Sequence, residues 1–212
     1  MQKYKSWYFP DKEEHFIKSL QNQDEYQSPQ RNASIEFLEQ KRNAIDIGAN
    51  VGLWARDLCK IFERVELFEP VKQNIECLKK NLEVFSNFKI YDCALSNSNG
   101  LKDIYIDEKG SGNNSFIKPE KDDVKSEKIK IMKLDDFNFN EIDYIKIDVQ
   151  FHELEVIEGG INTLKNNNPV LCIEAARRNE EELSYVKKWG QILENIGYKI
   201  IGGVYKELFF KK

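Results

Sequence analysis

The chain has no excess of positive charge: its 212 residues include 32 Lys and Arg against 36 Asp and Glu, a formal net charge of -4. Without a basic footprint nothing draws in a phosphate backbone, and a nucleic-acid partner is disfavoured. No apolar run approaches the roughly 20 residues that span a bilayer, and the amino-terminal Met1-Gln2-Lys3-Tyr4-Lys5-Ser6-Trp7 is not followed by the apolar core of a signal peptide. A soluble, cytoplasmic protein without a membrane partner is the expectation. The four cysteines, Cys59, Cys77, Cys93 and Cys172, form no Cys-x-x-Cys pair, so neither a zinc site nor a disulfide framework is indicated, and buried thiols are expected. No donor spacing demands a metal, and none is expected. No composition break divides the chain, which is long enough for one sizeable α/β domain.

What is present begins at Ala44. Ala44-Ile45-Asp46-Ile47-Gly48-Ala49-Asn50-Val51-Gly52 reads as a strand delivering Asp46 to its carboxyl end and then a glycine turn; after a helical segment, Val65-Glu66-Leu67-Phe68-Glu69-Pro70 reads as a second strand ending in a carboxylate. Glycines let the backbone pass close to a bound molecule, so this is a nucleoside-binding edge. A dinucleotide fingerprint requires Gly-x-Gly-x-x-Gly to cradle a pyrophosphate. Here the spacing is Asp-x-Gly-x-x-x-Gly, with Asn50 at the middle position, which argues against a pyrophosphate.

From Ala44 onward short apolar runs alternate with segments of helical period, the signature of a parallel sheet with helices on both faces. Helices are predicted near Gly52 to Glu63, from Val71 to about Phe85 after Pro70, and through Leu154, Ile157, Ile161 and Leu164. A third strand is predicted over Lys89 to Leu95, then a β-rich excursion whose Gly110-Ser111-Gly112-Asn113-Asn114-Ser115 loop is a candidate lid. Asp143 to Val149 and Pro169 to Glu174 are two further strands closing on carboxylates. The tail predicts a hairpin, Tyr198 to Ile201 and Glu207 to Phe210, turning through Gly202-Gly203 and supplying an antiparallel edge strand. Residues 1 to 42 are polar with scattered aromatics and a helical stretch around Ser34 to Gln40; they form an appendage that docks on the domain or covers its site.

In such a sheet all strand carboxyl ends share one rim, where ligands bind. Asp46, Glu69, Asp92, Asp148 and Glu174 fall there, and five crowded carboxylates need hydrogen bonds, cations or protons. Asp46-Ile47-Gly48-Ala49-Asn50-Val51-Gly52 resembles the first motif of class I S-adenosylmethionine-dependent methyltransferases. Together with Ile142 to Val149, Glu153 to Gly159 and Pro169 to Glu174, it is similar to the FkbM methyltransferase family over about residues 44 to 175. The resemblance implies a three-layer Rossmann-like fold over residues 43 to 212, S-adenosyl-L-methionine as cofactor, and methylation of a hydroxyl on a saccharide or small-molecule acceptor. It further implies that Asp46, Gly48, Asn50, Gly52, Glu69 and its neighbour Pro70 bind cofactor, that Asp92 and Ala94 lie near the adenine, and that Asp148 faces the reacting centre. The chain departs from the family at Gln150-Phe151, where the family reads Glu-Gly.

Methyl transfer to a hydroxyl needs an aligned acceptor and a route for its proton. Alignment supplies roughly 7–11 kcal/mol of the barrier and a general base only ~10²–10⁴-fold, so positioning dominates. Asp148 is the first candidate for the proton and His152 the second. Plainer readings stand beside these. Asp46, Gly48 and Gly52 also suit an unliganded turn, Asp148 and His152 a helix cap, and Asp92 and Glu174 solvated positions; His15 has still less claim to catalysis. Glu120-Lys121-Asp122-Asp123 reads as a solvated loop. Two rival functions are a nicotinamide-dependent oxidoreductase, which the missing third glycine opposes, and a catalytically silent cofactor-binding protein, prompted by Gln150-Phe151.

Overall fold

The computed structural model describes residues 1–23, 25–120, 124–175 and 179–212; Lys121, Asp122 and Asp123 of the expected solvated loop lie outside them. The elements in chain order are β1 (Gln2–Tyr4), β2 (Trp7–Phe9), α1 (His15–Ser19), α2 (Ser28–Ile35), β3 (Asn43–Ile47), α3 (Ala55–Ile61), β4 (Arg64–Phe68), α4 (Lys72–Asn81), β5 (Phe88–Tyr91), β6 (Ala94–Leu95), β7 (Gly100–Tyr105), β8 (Ser126–Met132), β9 (Ile142–Ile147), α5 (Glu153–Glu158), α6 (Ile161–Asn167), β10 (Val170–Glu174), α7 (Glu180–Asn195), β11 (Lys199–Val204) and β12 (Glu207–Lys211).

Among the described residues, seven strands form the central sheet in the order β11-β12-β10-β9-β3-β4-β5. Strands β3, β4, β5, β9 and β10 are parallel, while β12 is antiparallel to both its neighbours. The chain walks outward from β3 to β5 and then returns to β9 on the other side of β3. Connections therefore leave β3 and β9 in opposite directions, and the crevice of an open α/β sheet opens at their carboxyl ends. The expected α/β sheet is present, with the antiparallel hairpin at its edge; β12 sits one place in and β11 takes the outermost position.

The period of two along each buried strand sorts side chains between two cores. Ile45 and Ile47 of β3 join Leu171, Ile173, Val156, Leu164, Trp189 and Leu193 on one face. Ala44 joins Tyr144, Cys172, Phe209, Trp54, Leu58, Leu78 and Leu82 on the other. By the same alternation Asp46 and Lys146 point to that second face, where a charged residue on a central strand has to find a partner. All four cysteines are buried and free. No helix among the described residues is long and apolar enough to cross a membrane.

Several boundaries differ from expectation for identifiable reasons. The periodicity of Leu154 to Leu164 runs across two helices, α5 and α6, broken at Gly159-Gly160; a Cβ on Gly159 would overlap the Ser96 carbonyl. The carboxyl-terminal hairpin turns at Tyr205-Lys206, with Tyr205 at φ 55°. Gly202 instead sits at a register shift, where a side chain would press on the Phe209 and Phe37 rings. The third strand ends at Tyr91, and Ala94–Leu95 joins β7 and β8 in a separate three-stranded sheet. Helix α2, Ser28–Ile35, lies upstream of the expected Ser34 to Gln40.

Residues 1–42 are packed onto the domain. Trp7, Phe9, Phe16 and Leu20 form a buried cluster with Val51, Leu53 and Cys77. Asn81 clamps β2 to the glycine turn: its Oδ1 accepts from Tyr8 N at 2.7 Å, and its Nδ2 donates to Tyr8 O at 2.9 Å and Val51 O at 2.8 Å.

Candidate functional site

Two cavities open over the carboxyl ends of β3, β4, β9 and β10. The smaller, about 60 Å³, is lined among others by Gly48, Asn50, Phe68, Glu69, Pro70, Ala94, Asp148 and His152, and is roofed by Ser111 to Phe116. The larger, about 280 Å³, lies over the Asp46 face of the sheet, walled by Phe16, Tyr26, Gln27 and Trp54 and floored by Lys146, Asp148, Glu174 and Glu207. Gly48, Asn50, Gly112, Asp148 and Gln150 line both. Asp148 thus stands where the two spaces meet.

The glycine turn is set by close approach. Gly48 has φ 84°, and a Cβ there would overlap the Asp148 carbonyl oxygen. Only glycine lets the end of β9 pass so near β3. Asn50, also left-handed at φ 49°, donates its backbone N–H to Glu69 Oε2 at 2.9 Å. Glu69 Oε1 accepts from Val71 N at 3.0 Å and Asn74 Nδ2 at 3.1 Å. Burial nevertheless pushes the Glu69 carboxyl up to about 7, against those three donors. The Asn50 side chain holds the roof: Nδ2 donates to Ser111 O at 2.9 Å and Oδ1 accepts from Ser111 Oγ at 3.2 Å. Ser111 N is anchored in turn on Glu13 Oε2 at 2.7 Å.

On the floor of the larger cavity, Lys146 is buried with its Nζ 3.7 Å from Asp46 Oδ1 and 3.5 Å from Asp148 Oδ2, 5.2 Å over the Trp54 ring. Burial alone would lower its pKa, but the Asp148 and Asp46 carboxylates outweigh that and keep the ammonium charged. Asp46 is fully buried, and neither of its oxygens has a hydrogen-bond partner; desolvation raises its pKa despite Lys146. Gln150 Nε2 lies 3.0 Å from both Asp148 Oδ1 and Glu174 Oε2, bridging two carboxyls. The Asp148 charge raises the Glu174 carboxyl, and burial adds to it. Burial would raise Asp148 too, but Lys146, Glu174 and Gln150 together hold it low and ionised.

The departure at Gln150-Phe151 now has a physical form. Both residues are left-handed, φ 51° and 67°, so Phe151 adopts a conformation that glycine takes without strain. Each such residue costs on the order of 1–3 kcal/mol. The amide at 150 places a donor where a carboxylate would add a third negative group beside Asp148 and Glu174.

A model of the methyltransferase FkbM domain matches residues 46–200. The chain belongs to the FkbM methyltransferase family. Among solved structures, the FkbM-family chain is similar to Methyltransferase FkbM from Methylobacillus flagellatus KT, with a TM-score of 0.57 and 19% identity over 84% of this chain and 45% of that one. It thus spans less than half of that structure. It is also similar to precorrin-6y C5,15-methyltransferase from Geobacter metallireducens GS-15, with a TM-score of 0.52 and 13% identity over 98% of this chain and 97% of that one. A Streptococcus mutans protein in complex with SAH matches with a TM-score of 0.53 and 10% identity over 86% of this chain and 94% of that one. At these identities the likeness concerns the fold. No curated protein matches the sequence.

Of the residues the FkbM resemblance singled out, Gly48, Asn50, Glu69, Pro70, Ala94 and Asp148 converge on the smaller cavity, and Asp46 on the larger. Gly52, at φ 93°, is a packing position where a Cβ would press on Leu78. Asp92 is exposed and lines neither cavity, because β5 ends before it. His152 lines only the smaller cavity. Its Nε2 is 3.0 Å from Ser96 Oγ and its Nδ1 3.3 Å from Glu155 Oε2, and burial lowers it to about 4. It is a neutral wall residue hydrogen-bonded to Ser96, and the buried Glu155 Oε2 beside it has no hydrogen-bond partner among the described residues. Trp54, Tyr26, Gln27 and Glu207 carry no motif signal, and Lys146, inside the Ile142 to Val149 stretch of the resemblance, was given no role there. A lysine inside the apolar run of β9 was a signal available to find it, since a buried central strand admits a cation only opposite an acid.

Proposed function

We propose that the chain is an S-adenosylmethionine-dependent methyltransferase acting on a hydroxyl of a small or sugar-like acceptor, with cofactor along the β3–β4 edge and acceptor in the larger cavity. The observation that carries this reading is Asp148, an ionised carboxylate at the junction of the two cavities. The cofactor-side residues fit their ligand. Glu69 offers two acceptor oxygens for a ribose diol, and the left-handed Gly48 turn permits close backbone approach. When bound, the cofactor supplies a methyl group activated on a sulfonium. At about 60 Å³ the smaller cavity is tight for a nucleoside, so entry requires the Ser111 to Phe116 roof to lift from Asn50.

The chain's own residues position and deprotonate. Asp148 accepts the hydrogen bond of the acceptor hydroxyl and draws its proton as the oxygen is methylated. Lys146 keeps Asp148 ionised, and Gln150 fixes it against Glu174. His152 acts as a cavity wall, and residues 1–42 supply one wall of the acceptor site of the domain at 43–212. In favour of activity over the silent-protein alternative, Gln150 Nε2 donates to Asp148 Oδ1 at 3.0 Å. The test is transfer of isotopically labelled methyl from S-adenosylmethionine to a panel of hydroxylated small molecules. Label in an acid-stable ether is expected. Binding of S-adenosylhomocysteine with no transfer to any hydroxyl, and Asp148→Asn indistinguishable from the parent, would overturn the reading.

A further inference from the structure

The far end of the larger cavity carries a group that methyl transfer to a neutral hydroxyl leaves unexplained. Glu207 is 3% exposed and lines the cavity. Its Oε1 accepts from Gln27 Nε2 at 3.1 Å, while its buried Oε2 has no hydrogen-bond partner. Directly across the antiparallel ladder its Cα partner is Glu174. An unsatisfied buried carboxylate oxygen carries a desolvation cost. Among the described residues the nearby cations are committed or peripheral: Lys146 sits between Asp46 and Asp148, and Lys206, with its side chain 55% accessible, lies 3.6 Å from Glu174 Oε1.

The cofactor does not account for Glu207 either. Between β3, which bears Asp46, and β12, which bears Glu207, lie β9 and β10, a separation of roughly 14 Å at 4.7–4.9 Å per strand. The rings of Tyr26 and Tyr205 line the same space, while the Trp54 ring already carries Lys146. Carboxylates faced by aromatic rings form a cation-binding environment, because an ammonium takes charge-assisted hydrogen bonds from the one and ring-quadrupole attraction from the other.

Resting on the methyl-transfer reading, we infer that the acceptor carries a protonated amine beside the hydroxyl to be methylated, and that Glu207, opposite Glu174, binds that ammonium. The acceptor class is then a small amino alcohol or amino sugar. An ammonium has three donors and no acceptor, so one group can satisfy Glu207 Oε2 and also donate to the Glu174 carboxyl across the ladder. Phosphorylated or carboxylated acceptors would face these acids and be rejected.

Calorimetric titration of the chain saturated with S-adenosylhomocysteine tests this, using matched pairs: glucosamine against glucose, serinol against glycerol, ethanolamine against ethylene glycol. At least one amine should bind about tenfold or more tightly than its neutral partner, and Glu207→Gln should erase that preference. Saturation with S-adenosylhomocysteine, measured first, reports folding of the variant and separates failure of the methyl-transfer reading from failure of this one. No amine exceeding its neutral partner, whether both bind or neither does, would overturn the inference. So would a preference that survives in Glu207→Gln.

Discussion

Binding of S-adenosylhomocysteine should tighten as pH rises toward neutrality, and Glu69 is the reason. Its carboxyl is 4% exposed and sits at about 7 rather than its ordinary 4.5, chiefly through burial. A displacement of that size corresponds to roughly 3 kcal/mol between protonation states. The folded-state value lies above the unfolded one, so the native chain holds the extra proton. Its stabilising contribution is full below the unfolded value and is lost as pH rises through about 7. A ribose diol donates hydrogen bonds and favours the ionised carboxylate, so binding below neutrality must first displace that proton. Apparent affinity should therefore rise up to about tenfold per pH unit and level off above the Glu69 pKa. Asp148, held low, and His152, lowered to about 4, contribute no slope in that window. Asp46, Glu153, Glu174 and Glu207 are also raised, but none lines the smaller cavity, and Glu69→Gln separates Glu69 from them. That variant should flatten the profile and weaken binding by about 1–3 kcal/mol, since an amide NH₂ would face one of the N–H donors. Calorimetry across roughly pH 5.5 to 8.5 measures the slope. A flat wild-type profile, or an unchanged slope in Glu69→Gln, refutes the reasoning.

Other substitutions probe the rest of the site. Gly48→Ala combines a strained φ with overlap on the Asp148 carbonyl and should cost about 3 kcal/mol or more, a fall of roughly 6–12 °C in Tm by scanning calorimetry. Lys146→Met strips the cation from Asp46 and Asp148 and should lose about 3–5 kcal/mol in urea unfolding. Adding Asp46→Asn should recover part of that loss, and no recovery would contradict the pairing. His152→Ala should lower stability by about 1–3 kcal/mol yet leave the pH dependence of methyl transfer unchanged; loss of an inflection in the rate profile would restore His152 as a base.

The cofactor edge was legible because it is local. Asp46, Gly48 and Glu69 lie within one strand–turn–helix–strand unit, and the demand for left-handed backbone at Gly48 is written as glycine. On the acceptor side Asp148 and Glu174 were legible as rim carboxylates, but Gln27, Trp54, Lys146 and Glu207 come from four segments that meet only through the strand order, with no shared spacing to betray them. Two glycine pairs misled in instructive ways. Gly159-Gly160 breaks what the periodicity of Leu154 to Leu164 makes one helix, since Ser96 passes against it, and Gly202-Gly203 is a packing accommodation, beside Phe37 and Phe209 for Gly202 and against the Glu207 carbonyl for Gly203, rather than a turn. The departure at Gln150-Phe151 was visible in sequence, but its consequence was not: Phe151 holds the left-handed turn at a cost, and Gln150 becomes a donor between two carboxyls.

The central claim is that the β3–β4 edge binds S-adenosylmethionine rather than a nicotinamide dinucleotide. Calorimetric titration of the chain with S-adenosylhomocysteine and with NAD, side by side, tests it most directly. The account predicts saturable heat from S-adenosylhomocysteine that is weakened in Glu69→Gln, and none from NAD. Heat from NAD alone would contradict it.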